Sequence, residues 1–389
     1  VTAPLAGAAA IVGVGQTEFS QHAGRSETQL AAEAITAALA DAGLGVEAVD
    51  GLVSYTIDPV EETELVRAVG IPEIAFSSRV PYGGAGSQGV ILHAATAIAA
   101  GAARTVVVYR AVKARSGARF GAAQASGRAT SAHSGSTAMQ WSMPFGVLTP
   151  ASWMAFNAVR YMHRFGVTSA DFGQAVVQLR SYAATNPNAR FFGQPITIDD
   201  HQASRWIAEP AIRLFDCCQE TDGAVALVLT PTSSAGDFRA PVVVAAAAGA
   251  ALFEEEIASD HYRPDLAVMG GSAALGRRLF EGFGVARADI DVAMIYDAFS
   301  PVLLMQLEAL GFCGLGEAKD FIADGHLSPT GSLPCNTNGG LIGEGYIHGL
   351  NLTLEAVRQL RGESHNQLAS PFTALVSSNR TGVILQRHE

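Results

Sequence analysis

The chain predicts an α/β protein built as two similar layered halves, with a mostly helical stretch inserted into the first. Three observations carry that reading. Strand-like and helix-like segments alternate from the N-terminus, the pattern of layered α/β units. Arg104 to Tyr109, RTVVVY, is a continuous β-branched run, as expected of a strand buried on both faces. GLGVEAVD in the first half is echoed in the second by GFGVARAD, where Gly43, Gly45, Val46 and Asp50 recur 239 residues on as Gly282, Gly284, Val285 and Asp289. Each copy follows a helix pattern and precedes a strand pattern, so the echo points to a duplicated unit.

Taken in order, Ala9 to Val14 reads as a strand, and Thr28 to Ala42 as an amphipathic helix closed by Gly43. Asp50 to Tyr55 is a second strand. The glycine-rich turn VPYGGAGSQG leads into an Ala-rich helix from about Ser87 to Ala100, and then comes the RTVVVY strand. From Val112 the character shifts to Gly, Ser, Ala, Gln and Met, followed by helices over Ser152–Phe165 and Ser169–Ala184. The α/β pattern resumes at Ala211, with a strand at Ala224 to Leu229 and a Pro/Ser/Gly-rich linker over Pro231 to Ala240. Strand Val242 to Ala248, a helix from about Ala273 to Phe283 and the strand-like VAMIY follow. The organisation read from this is a first half over 1–111 and 211–230, an insertion over 112–210 and a second half over 241–389.

Composition narrows the function. Of 389 residues, 49% are apolar and only 16% charged, and the formal net charge is −11. An acidic chain of this kind is no general nucleic-acid binder. The longest apolar tract, about Val90 to Ala103, is too short and too rich in small residues to span a bilayer. Ten histidines without HxH, HxxxH or HExxH spacing predict no metal site in the chain. Two adjacent cysteines, Cys217 and Cys218, and two distant ones, Cys313 and Cys335, read as reduced cytoplasmic thiols.

The stretch around which the chemistry gathers is SLPCNTNGGLIGEGYIHGL, from Ser332. Gly339, Gly340, Gly343, Gly345 and Gly349 fall within eleven residues. Such density lets backbone approach a ligand and offers amides as an oxyanion site. The same loop carries Glu344, Tyr346 and His348, the groups a proton-transfer site uses. Asn336 and Asn338 suit its turn geometry, and Cys335 beside it reads as a buried, inert thiol.

PAIRLFDCCQETDGAVALVL, IYDAFSPVLLMQLEALGFC and NTNGGLIGEGYIHG together resemble the thiolase superfamily, and within it the lipid-transfer-protein type, over nearly the whole chain. The resemblance implies a thiolase-like fold of duplicated α/β/α/β/α layers. The departures define the chemistry. Where thiolases carry an acyl-accepting cysteine, this chain reads Tyr82-Gly83-Gly84-Ala85-Gly86-Ser87-Gln88. Where their NGGAIxxGHP motif has histidine, it has Tyr346; where the lipid-transfer type has HDCF, it has Tyr296 and Ala298 in YDAF. Without an acyl-cysteine, a Claisen condensation or thiolysis is hard to write.

This altered pattern is similar to the thiolase-like aldolases that shorten steroid side chains. That resemblance implies retro-aldol cleavage of a bulky β-hydroxyacyl-CoA: a 17-hydroxy steroid C20-carboxyl-CoA would give a 17-ketosteroid and propionyl-CoA. It also implies a separate OB-fold/zinc-ribbon partner holding the only expected zinc, around a homodimeric core. The expected catalytic residues are Tyr346, Tyr296 and His348. The expected substrate and CoA contacts are Gly84, Gly86, Ser87, Asn338, Gly339, Gly340 and Gly343. The only lysines, Lys113 and Lys319, are poorly placed for a Schiff base. A thioester enolate needs neither that device nor a metal when hydrogen bonds hold its oxygen. As a base, Tyr346 must be acidified by its neighbours or work through a relay. The rival readings are a non-catalytic acyl-CoA-binding subunit and an acyltransferase using Cys335 or Cys313.

Overall fold

In the first half the elements run β1 (Ala9–Gln16), α1 (Glu27–Ala42), β2 (Gly51–Tyr55), α2 (Glu62–Val69), β3 (Phe76–Val80), α3 (Gly89–Ala99) and β4 (Val106–Lys113). Helices α4 (Pro150–Phe165), α5 (Ser169–Thr185) and α6 (Ile198–Ala203) follow, then the short hairpin β5 (Trp206–Ala208) and β6 (Ile212–Arg213), and then β7 (Asp222–Pro231). The second half comprises β8 (Val242–Gly249), α7 (Gly270–Phe283), β9 (Val292–Ile295), α8 (Ser300–Leu310), α9 (Ala318–Ala323), α10 (Gly340–Gly343), α11 (Leu350–Arg361), β10 (Thr373–Ser377) and β11 (Thr381–Arg387). The computed structural model describes residues 5–81, 83–117, 119, 142–250 and 263–388. Tyr82 and residues 120–141 of the expected insertion lie outside that set.

Nine strands form one sheet in the order β3-β2-β4-β7-β1-β8-β11-β10-β9. Read outward from the junction of β1 and β8, the halves repeat each other. The last strand of each half (β7, β11) lies antiparallel beside its first (β1, β8), and the next two strands outward (β4 with β2, β10 with β9) are parallel to each other. The junction is antiparallel, with Ala10 opposite Val243, so a pseudo-two-fold runs between β1 and β8. Helix α1 covers β1, β4 and β7 from outside, and α7 covers β8 and β11. Helices α3 and α11 each touch strands of both halves and form the shared central layer.

Residues of β4 alternate as a doubly buried strand must. Val107, Tyr109 and Ala111 join the cluster under α1, while Val106, Val108 and Val112 face the larger central core. Arg110 takes its place in that second row, inside the molecule. The duplication is real, but its offset is 241 residues rather than 239. Gly43 and Gly284 both close a helix in left-handed geometry. Asp50 then accepts from the amide of Thr105, and Asp291 accepts from that of Thr373. Gly282 and Asp289 therefore resemble the first-half residues in type without sharing their positions. The glycine spacing misled because the helix ends where a left-handed residue is needed, at Gly284.

Several elements had too weak a pattern to be read beforehand: α2, β3, the β5–β6 hairpin, α8, α9 and the C-terminal strands β10 and β11. Helix α8 is buried nearly all round, so it has no polar stripe to betray its period. The inserted helix α5 packs against α8 and α10, which places the insertion directly over the glycine-rich loop.

Candidate active site

Parallel strands β9 and β10 end side by side, and Tyr296, the residue after β9, donates its amide to the Ser377 carbonyl at 2.8 Å. The loop from Pro334 runs along the other edge of β9. Ala293 donates to the Pro334 carbonyl and Asn336 to the Ala293 carbonyl, both at 2.9 Å. The Asn336 side chain completes the ladder, accepting from Ile295 N at 2.7 Å and donating to Ile295 O at 2.8 Å. This amide imitates one residue of a missing strand, at a φ of +51° that asparagine tolerates.

The chain then turns into α10. At Gly340 (φ +66°) an added Cβ would lie 2.2 Å from Asp297 Oδ2, so glycine is required there. Asp297 accepts the amides of Leu341 and Ile342 at 2.9 and 3.3 Å. Asn338 bonds Glu344, which also accepts from Asn351 and Asn186. Burial pushes the Asp297 carboxyl up to about 7 and that of Glu344 up to about 8.

These bonds correct one expectation. The amides of Gly339, Gly340, Leu341, Ile342, Gly343, Glu344 and Tyr346 already donate within the protein. They shape the loop and are not spare donors for an oxyanion. Gly339 and Gly343 abut Ala183 of α5.

Emerging from the loop, Tyr346 meets Tyr296 with their hydroxyls 2.7 Å apart. Its ring stands edge-on to His348, with centroids 4.9 Å apart. The three expected catalytic side chains are thus brought together. Burial is the main cause that raises both phenol pKa values. For Tyr296 negative charge on Tyr346 or Cys218 would add to the rise; for Tyr346 negative charge on Cys218 would add to it, while the hydrogen bond with Tyr296 and the Arg110 charge oppose it. Tyr296 and Arg110 pull the Tyr346 pKa down, but burial outweighs them, so of the two ways a phenol acts as a base the relay fits.

Gly84 supplies the space for Tyr296: a Cβ there would sit 2.0 Å from the phenol oxygen. Both tyrosines and Gly84 line a cavity of about 1030 Å³. Gly86, Ser87, Asn338, Gly339, Gly340, Gly343 and His348 are not among the described residues that line it; His348 lies behind Tyr346. Ser87 is buried, with its hydroxyl on Gln88 and its carbonyl accepting from Tyr55 at 2.8 Å. Cys335 is fully buried away from the cavity, its thiol pKa raised by burial. Cys217 and Cys218 do reach the wall, but burial pushes the first up to about 12 and the second well above its ordinary value, so both stay neutral thiols.

The cavity wall combines apolar side chains, among them Trp153, Met154, Ile207, Met269, Phe299 and Val302, with the arginines Arg115, Arg119, Arg190, Arg205, Arg263 and Arg380. Burial, and after it the charge of nearby Arg115, lowers the Arg190 pKa. The Asp222 carboxylate lies near both, opposing the shift at Arg190 and accepting the Arg115 amide at 3.0 Å. Sequence reasoning missed these arginines. The signal available was composition: with two lysines among 25 basic residues, positive charge is carried almost wholly by the residue suited to phosphate oxygens. It also missed Arg110, which contacts His348 from the first half, and Asp58, which holds Arg110. Arg110 announces itself as a charge directly after a doubly buried strand run; nothing in the sequence marks Asp58.

A two-fold-repeated α/β scaffold with its reactive groups at the strand ends, on a loop that replaces histidine by tyrosine, defines a thiolase-like enzyme without thiolase chemistry. Residues 254–388 match the family model described as thiolase C-terminal domain-like. A steroid side-chain-cleaving aldolase of Thermomonospora curvata is 50% identical over 380 residues, covering 97% of this chain and 96% of the relative. The 17-hydroxy-3-oxo-4-pregnene-20-carboxyl-CoA lyase of Mycobacterium tuberculosis is 51% identical over 381 residues, covering 97% and 98%. A solved structure described as an Ltp2–ChsH2(DUF35) aldolase superposes with a TM-score of 0.93 at 47% identity, covering 99% of each chain. The chain belongs to the steroid side-chain-cleaving aldolases of the thiolase superfamily.

Proposed function

We propose that this chain is a lyase that cleaves a bulky β-hydroxyacyl-CoA by a retro-aldol reaction. The substrate is a 17-hydroxy steroid bearing a C20-carboxyl-CoA side chain, and the products are the 17-ketosteroid and propionyl-CoA. The observation that carries the mechanism is the pair of neutral phenols, 2.7 Å apart, on the wall of a large cavity. In the step, the bond between C17 and C20 breaks and its electron pair passes into the thioester as an enolate. The 17-hydroxyl proton moves to one phenol oxygen while that phenol's own proton passes to its partner. The partner's proton goes to C20. No phenolate accumulates, which suits the raised pKa values of both tyrosines. His348 is the proposed support for the enolate oxygen.

The cavity suits both parts of such a substrate. Its volume sits at the upper end of the usual range for ligand sites. The apolar part matches a tetracyclic ring system, and Arg115 with Arg190 matches the phosphates of CoA. The acyltransferase alternative gains no support, because neither Cys335 nor Cys313 is among the lining residues. Among the described residues no helix is long and apolar enough to cross a membrane, and we place the enzyme in the cytoplasm. We further propose a DUF35-type partner carrying the OB fold and zinc ribbon, joined to a homodimer of this chain as a heterotetramer. The domain reading of 1–111 with 211–230, 112–210 and 241–389 forms part of the same proposal, with the insertion capping the steroid end.

The test is direct. The chain assembled with its partner is incubated with the 17-hydroxy steroid thioester, and ketosteroid and propionyl-CoA are quantified. Equal amounts of both support the lyase. Tight binding without cleavage would instead identify a non-catalytic acyl-CoA-binding subunit.

A further inference from the structure

His348 is held from the opposite half of the molecule. Arg110 of β4 crosses the central layer, and its Nε donates to His348 Nδ1 at 2.7 Å. The same guanidinium donates through Nη1 to Asp58 Oδ2 and to the Ala111 carbonyl, each at 2.7 Å. Asp58 is fixed in turn by the amides of Val60 at 3.0 Å and Ala111 at 3.3 Å. Both charged side chains are shut away from solvent, Arg110 at 1% exposure and Asp58 at 0%. A buried ion pair is a poor device for stability, since well-packed apolar residues of the same volume do as well. This one also spends a guanidinium hydrogen bond on an imidazole.

A guanidinium has only donors, so the nitrogen it contacts must present a lone pair. The imidazole proton is thereby assigned to Nε2. We propose that Arg110 is a positioning residue that fixes His348 as the neutral Nε2–H tautomer, a hydrogen-bond donor and never a base, with Asp58 fixing Arg110. The groups that face the imidazole agree. From β4 comes the Arg110 cation; from β2 comes Tyr55, whose ring lies 5.9 Å from that guanidinium. From its own loop comes Tyr346, bonded to Tyr296 at the end of β9. All three phenols have raised pKa values and stay neutral, and the Asp58 charge is committed to Arg110. Burial first, and then the Arg110 charge, hold the His348 pKa well below its ordinary value. The consequence for chemistry is a division of labour. Proton transfer falls to the tyrosine pair alone, and the imidazole polarises an acceptor oxygen, as a neutral electrophile can. The last point rests on the lyase reading; the tautomer does not.

Two measurements on the assembled complex test the proposal. The first is ¹⁵N NMR of protein labelled in histidine, recorded without substrate between pH 5.5 and 8, with the His348 signals assigned by their loss in His348→Gln. One protonated and one bare nitrogen, with the proton on Nε2 throughout, is expected. A doubly protonated ring at pH 6, or a proton on Nδ1, would overturn the proposal even if Asp58→Asn/Arg110→Gln does not fold and whatever the substrate is. The second is the pH dependence of kcat in Asp58→Asn/Arg110→Gln, which removes both charges and leaves no unpaired carboxylate. In the wild type no imidazole limb is expected above pH 5.5. In the double variant the burial part of the depression remains and the Arg110 part is gone, so an acid limb, with kcat falling about tenfold per pH unit, should appear at a higher pH than in the wild type and below the ordinary histidine value of about 6.5. An equal loss at every pH would mean that the pair only holds the fold together, and would also overturn the proposal. Absence of cleavage by the wild type would count against the lyase alone, leaving the nitrogen spectra to decide the tautomer.

Discussion

A single methyl group at Gly84 separates the tyrosine pair from its function. The alanine Cβ would stand 2.0 Å from the Tyr296 oxygen and 2.7 Å from the ring carbon that bears it, where ordinary contact begins near 3.4 Å. The phenol must therefore withdraw by roughly 1.4 Å. It cannot move toward Tyr346, which already lies at 2.7 Å, so the hydrogen bond between the phenols is broken. Gly84 does not use left-handed backbone, and alanine is therefore acceptable to the chain itself. Overpacking of this size costs about 1–3 kcal/mol of stability. The relay loses a member, and kcat should fall by about 10²-fold or more, the scale of general acid–base catalysis. The assay is ketosteroid release by the assembled complex, beside a thermal melt and a partner-binding check. Gly84→Ala/Tyr296→Phe should be no worse than either single change, because both act on one hydroxyl. Turnover near wild type in a folded Gly84→Ala complex would refute the reasoning, since the phenols could then be parted without cost.

Tyr346→Phe should lower kcat about 10²-fold with KM little changed, and its combination with Tyr296→Phe should fall short of the product of the singles, as steady-state kinetics would reveal. Arg190→Ala should raise KM for the CoA thioester about 10- to 100-fold, most clearly at low salt, because it removes a charge-assisted phosphate contact. Cys335→Ala should leave kcat unchanged and cost about 1 kcal/mol in denaturant melts. Stability should also decline with rising pH. The buried Glu344 carboxyl, raised to about 8, keeps in the native state a proton that the unfolded chain releases near 4.5. Its contribution is complete below about pH 4.5 and lost as pH climbs toward 8, with Asp297 acting in the same sense up to about 7. Melting temperatures from pH 5 to 8 should therefore slope downward, and Glu344→Gln should flatten the slope.

The fold was legible where one residue type does one job. RTVVVY announced a strand with no exposed face, and β4 has none. Gly43 announced the end of α1, and it closes that helix in left-handed geometry. The glycine-rich loop was legible as an organising element but not in its inner workings. Its amides could not be known to be taken, because their acceptors include Asp297, 44 residues away from Leu341 in sequence. For the same reason Asn338 and Gly340 looked like ligand contacts. Asn338 instead ties the loop to Glu344, and Gly340 clears the carboxylate of Asp297. Tyr296 and Tyr346 stood out because they replace the residues that give thiolases their chemistry. Arg110 and Asp58 replace nothing and stayed hidden until β4 and the loop were seen to face each other.

That contact between halves explains why the exchange of chemistry was open to this scaffold. The tyrosines and the imidazole all lie on the second half, but their states are set from the first. Gly84 leaves the space in which Tyr296 stands, and Arg110 decides which nitrogen of His348 carries its proton. A cysteine nucleophile needs a neighbour that lowers its pKa. A phenol pair working as a relay needs the reverse, a dry environment in which neither member ionises. The first half contributes to that environment through Gly84, which has no Cβ where Tyr296 stands, and through Cys218, which burial keeps a neutral thiol. The Arg110 charge is paired with Asp58 and turned toward the imidazole.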